Sequence, residues 1–224
     1  MSSIFPRRLA ALAVAVAAFA AVGTGWAQLH LFEAARSGTA DDVRTLLDDG
    51  TPVQARNEAG GTALMVAAVH NPDPEVARTL LSAGADPNAR DGRSETPTML
   101  AARFNPAVEV LRTLLEAGGD PTLRQVEEVD ALFLAAGFQE NPEVIEVLVD
   151  AGADPNARYP YGSTALMYAA DRTEVPAVVN ALLDAGADPD LRNDEGARAI
   201  DFAAENAALA GTEAFERLEA ATSD

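Results

Sequence analysis

The residues that could do chemistry are few and scattered. His30 and His70 are the two imidazoles, cysteine is absent, and neither histidine has a second ligand at the spacing of a helical zinc motif. Ser163, in "YGSTA", lacks the second glycine of a nucleophile elbow and stands just before a helix-capping threonine, so it reads as a turn residue. The stretch "AGADPNAR", at 83–90 and again at 151–158, opens like a calcium loop with Asp86 and Asn88. Arg90 then occupies the third ligand position and no glutamate closes the loop, so a cation there would meet a guanidinium. No catalytic, metal-ligating or cofactor-binding residue is expected.

What does recur is arginine. Arg56, Arg90, Arg124, Arg158 and Arg192 stand 34 residues apart, as a ladder. Pairing with carboxylates such as Asp91 or Asp194 is expected ahead of anion binding.

The elements behind that ladder repeat with the same step. Gly50, Gly84, Gly118, Gly152 and Gly186 are spaced by 34, as are "TALMVAA" from Thr62, "TPTMLAA" from Thr96, "DALFLAA" from Asp130, "TALMYAA" from Thr164 and "RAIDFAA" from Arg198. The copies predict a first helix, capped by threonine at Thr62, Thr96 and Thr164, a turn, and a second helix opened by proline at Pro74, Pro142 or Pro176, with Asp73 and Asn141 as caps. A glycine in the left-handed region ends that helix, and Asp-Pro-Asn then reverses the chain. The fold class is therefore all-α, in stacked helix-turn-helix units joined by β-hairpin-like loops.

On these residues the sequence resembles the ankyrin-repeat family: "GADPNARDGRSETPTMLAARFNPAVEVLRTLLEAGGDP" follows its order of Gly-Ala-Asp, hairpin, Thr-Pro-Leu-His-like opening and Leu-Leu second helix. The resemblance covers 29–222 and implies one solenoid of about six repeats, N- and C-terminal caps included, over 28–224. Two departures stand out. Met65, Met99, Phe133 and Met167 replace the family's first-helix histidine, so packing is expected to replace one hydrogen bond between repeats. The step of 34 exceeds the usual ~33 by one residue, placed in the turn between the helices.

The resemblance also implies a concave groove formed by the first helices and the hairpin fingers. The side chains expected to face it are His70, Arg103, Phe104, Phe138 and Arg172, with Val126, Val129, Tyr159 and Tyr161 from the fingers. Aromatic residues inside an acidic rim have the composition of an interface hot spot, although Phe104 and Phe138 could instead fold back over the lengthened turns. The fourth repeat has lost its finger glycine in "QVEEVD".

The first 27 residues form a separate unit: Arg7 and Arg8, an apolar run from Leu9 to Val22, and small residues before Gln28. That order predicts a signal peptide cut between Ala27 and Gln28, too short to span a bilayer at ~20 residues. The expected location is the periplasm, with no membrane association after the cut. A net charge of −19, becoming −21 once the two arginines leave, disfavours nucleic acid and anionic lipid; it serves solubility or steers a basic partner. The expected role is a non-catalytic scaffold for another protein. Alternatives are an immunity protein neutralising a secreted toxin and an accessory to a periplasmic enzyme, for instance in oxidative-stress defence.

Overall fold

In the computed structural model residues 26–221 are described; residues 1–25, which hold most of the expected signal peptide, lie outside them. Helical backbone covers 26–37 (α1) and is followed by α2 (Ala40–Asp48). Four pairs repeat the pattern: α3 (Ala63–His70) with α4 (Pro74–Ser82), α5 (Pro97–Phe104) with α6 (Val108–Glu116), α7 (Ala131–Phe138) with α8 (Glu143–Asp150), and α9 (Ala165–Arg172) with α10 (Pro176–Asp184). A short α11 (Ala199–Ala203) and α12 (Glu213–Ala221) complete the order.

The local reasons repeat with the sequence. Thr62, Thr96 and Thr164 accept the backbone N–H three residues on, each at 3.3 Å, and so satisfy one of the free donors that every helix N-terminus carries. At the other end of the second helix Gly84 has φ +92 and the Ala85 N–H reaches back to the Leu80 carbonyl at 3.0 Å, which closes the last turn.

Two layers result. First helices pack on first helices (α3 on α5, α5 on α7, α7 on α9, α9 on α11), and second helices form a parallel row from α2 to α12. The paired alanines at 67/68, 101/102, 135/136 and 169/170 are fully buried, since only a methyl group fits between helices that close. Met65, Met99 and Met167 are buried in the same layer. Leu80, Leu114, Leu148 and Leu182 fill the space between the layers.

Hydrogen bonds between units also run through the turns. Asn71 Nδ2 donates to the Ala35 and Gly38 carbonyls at 3.2 and 3.1 Å, and Asn105 Nδ2 to those of Ala68 and Asn71 at 3.1 and 3.0 Å. Further along, Asn206 Nδ2 donates to the Ala170 and Thr173 carbonyls, both at 3.0 Å, and Gln139 Nε2 to that of Asn105 at 3.0 Å. A carboxamide fits because it offers two N–H donors to two buried carbonyls that water does not reach.

Each finger is closed by two backbone bonds, from the N–H of residue 57, 91, 125, 159 or 193 to the carbonyl four residues on at 2.9–3.1 Å, and from the N–H three residues on back to the carbonyl of that same residue at 2.9–3.0 Å. Glu128 takes the left-handed position where glycine is missing, at φ 61. Neighbouring fingers are tied by Gly92 N–H to Ala59 O, Val126 N–H to Arg93 O and Asp194 N–H to Tyr161 O. The corresponding residue in the finger that starts at 159 is Pro160, which has no N–H to give, so the row of backbone ties has a seam between the fingers at 125 and 159.

Candidate functional site

The residues expected in the groove divide by burial. Phe104 and Phe138 are each 47% exposed, so they do not fold back over the turns. Val126, Tyr161, His70 and Arg172 are exposed as well. Val129 and Tyr159 are not groove residues: at 7% and 4% exposure they belong to the core. Val129 lies just before the helix cap at Asp130, where the strand of the finger turns inward, and the Tyr159 ring is drawn in by a partner described below.

Arg103, Phe104 and Phe138 come together. The Arg103 guanidinium carbon sits 4.7 Å from the Phe104 ring centre and 4.4 Å from that of Phe138, well within cation–π range. Its Nη1 faces Glu95 Oε1 at 3.5 Å, a carboxylate whose side chain is buried. Phe138 continues edge-on to Tyr168 at 6.1 Å, Tyr168 stacks on Phe133 at 4.3 Å, and Phe133 meets Tyr159 at 4.5 Å. Arg172 joins Phe138 and Gly137 in lining one open cleft, its guanidinium held by Asp171 at 2.7 Å. That bond and the Asp171 charge raise the already high Arg172 pKa, so it stays a cation. His70 lies apart from the cluster; burial and then the charge of Arg36 lower its pKa, which favours the neutral imidazole.

The inner end of the cluster is polar. Tyr159 donates its hydroxyl to the Asp130 carboxylate, 2.8 Å from both oxygens, while Asp130 also accepts the Phe133 N–H at 3.1 Å. Burial raises the Asp130 pKa despite those bonds, and burial together with the Asp130 charge raises that of Tyr159, so the phenol keeps its proton.

Sequence reasoning did not find Glu95, Asp130 or Tyr168 as members of this cluster. The signal lay in register. Asp130 stands where other units have threonine, and Tyr159 stands where they have Asn57, Asp91 and Asn193, whose side chains close their own fingers.

The arginine ladder is built differently from the expectation of carboxylate pairing. Arg56, Arg90, Arg124 and Arg158 each donate to the backbone carbonyl of the next rung, 34 residues on, at 2.7–3.0 Å. A finger carbonyl in that place has no N–H partner of its own, and a long forked donor from the preceding finger reaches it where a carboxylate would be repelled. Asn88 makes a similar tie, giving its amide to Gly118 O and accepting from Asp120 N–H, both at 2.8 Å. Asp86 is occupied by the Asn88 N–H at 2.9 Å. The repeated "AGADPNAR" is therefore a fastening between units.

Among the described residues no cluster of three or more histidines and carboxylates could hold a metal ion, and no helix is long and apolar enough to cross a membrane. The family model for ankyrin repeats matches three stretches, residues 18–91, 98–193 and 132–218. No curated protein matches the chain in sequence.

Proposed function

The chain belongs to the ankyrin-repeat family, and from that premise we propose that it is a non-catalytic scaffold that captures a basic protein in the periplasm, through the face carrying Arg103, Phe104 and Phe138. The observation that carries this reading is the pair of half-exposed phenyl rings beside a partly buried arginine, on framework that is otherwise regular. Exposed aromatic side chains are prominent among the residues that dominate interface energetics, and here the two rings are already held in place by the guanidinium between them.

Charge favours a cationic partner. Arg44, Arg78, Arg93, Arg112, Arg172 and Arg217 are tied to carboxylates of the same chain, and Arg56, Arg90, Arg124 and Arg158 to backbone carbonyls. The surplus carboxylates of a chain at −19 have no internal cations left to meet, so a basic surface is drawn in. Export is supported by the basic start, apolar run and small residues of 1–27. A cut before Gln28 would also spare Leu31 and Ala35, the first fully buried residues among those described.

The test uses residues 28–224 as bait in periplasmic extract, beside the double variant Phe104→Ala, Phe138→Ala. A protein retained by the native bait and lost by the variant, with melting nearly unchanged, supports the reading. A protein retained equally by both, or a variant that unfolds, overturns it.

A further inference from the structure

Taking that binding face as given, we propose that the slot between Phe104 and Phe138 is a receptor for an arginine side chain of the partner, occupied in the free protein by the chain's own Arg103. The slot has the parts a guanidinium needs: two rings to stack on and a buried carboxylate within reach of the guanidinium nitrogens. Glu95 is that carboxylate, with its side chain only 8% exposed.

The internal occupant does not complete the site. Glu95 Oε1 is buried and takes no hydrogen bond, and Arg103 Nε is buried and gives none. The ion pair that is formed, Arg103 Nη1 to Glu95 Oε1, is 3.5 Å long, against about 2.7–2.9 Å for a well-formed charge-assisted bond. The reason lies in the backbone. Arg103 and Phe104 are consecutive residues in the last turn of α5, so Arg103 enters the slot across the ring of its own neighbour, on a tether that limits how its fork can meet Glu95.

An arginine arriving from another protein has no such tether. It can lie flat between the rings and turn two N–H groups toward Glu95, while Arg103 swings out to water. One cation replaces another, so the buried carboxylate is never left unpaired, and the exchange gains the hydrogen bond that Oε1 lacks. A lysine would neutralise the carboxylate without filling the planar gap, so arginine is selected over lysine.

The experiment titrates N-acetyl-L-arginine amide, with the lysine and norleucine analogues as controls, into the native protein, Arg103→Ala, and Arg103→Ala with Glu95→Gln. The Arg103→Ala protein should bind the arginine probe at least about tenfold more tightly than the native protein, the second substitution should abolish that gain, and the two analogues should bind more weakly. Equal or weaker binding by Arg103→Ala, or indifference to Glu95→Gln, overturns the proposal. Should Arg103→Ala not fold, the Arg103 Nε–H resonance of native protein saturated with the probe decides. Movement to the position of a free arginine supports the exchange, and an unmoved resonance sinks it. Failure here with partner capture still lost in Phe104→Ala, Phe138→Ala leaves the binding face standing; probe binding without that loss condemns the face and not the slot.

Discussion

Tyr159 and Asp130 are joined across the seam that Pro160 opens between the fingers at 125 and 159, hydroxyl to carboxylate at 2.8 Å. Where backbone cannot bridge the units, a side-chain bond does. The arrangement has a cost with a sign. Burial raises the Asp130 pKa above its ordinary 3.8, so the folded state favours the protonated acid. Its contribution to stability is complete below pH 3.8 and is lost as pH rises through the raised value. Asp130→Asn keeps an acceptor for Tyr159 and for the Phe133 N–H without the charge. Its melting temperature relative to native protein should therefore be higher at pH 7 than at pH 4, at about 2–4 °C per kcal/mol for a chain of this size. A difference that stays flat between the two, or reverses, refutes the assignment.

Asn105 holds two carbonyls of the preceding unit and is itself buried. Asn105→Ala leaves both without a donor and should cost about 2–3 kcal/mol in urea denaturation. Asn105→Asp should cost more, because it turns a carboxylate oxygen toward two carbonyl oxygens. If the aspartate variant proves the milder of the two, the amide is not the fastening.

The all-α stack, its period and its helix ends were legible because each rests on local chemistry repeated in register: a capping threonine, a small alanine pair, a left-handed glycine. The exposure of Phe104 and Phe138 was not, since the same ring at the end of α5 or α7 could have turned either way. Tyr159 was misplaced for a related reason. Its finger position faces outward when filled by Asn or Asp, which bond back to their own loop, but a phenol cannot make that bond and its ring found Phe133 and Asp130 instead. The ladder arginines were located correctly while their partners were not, because a backbone carbonyl leaves no mark in a sequence.

The ladder itself makes a graded prediction. Arg90 reaches the Arg124 carbonyl on the next finger, whereas the bond found for Arg192 is to Gly196 O in its own finger. Arg90→Lys loses the fork needed to span that gap and should cost about 1 kcal/mol in urea denaturation. Arg192→Lys breaks no tie between fingers and should cost clearly less. Equal costs at the two positions would mean that the rungs do not hold the fingers together.

Gly137 tests whether the aromatic cluster is a packed unit or a chance adjacency. A methyl group there would stand 2.2 Å from Tyr168 Cε1 and 2.7 Å from Cδ1, distances that force the ring to move. Helix propensity argues the other way, since alanine in place of glycine within a helix gains about 1 kcal/mol. The clash should win, because Tyr168 is also stacked on Phe133 at 4.3 Å and has nowhere to retreat without losing that contact. Gly137→Ala should therefore destabilise the native chain by about 1–3 kcal/mol and weaken its near-UV circular dichroism. In a Tyr168→Ala background the obstacle is gone and only propensity remains, so the same substitution should become stabilising. That change of sign belongs to the pair alone, and a substitution equally harmful in both backgrounds would show that Gly137 serves the backbone and not the ring.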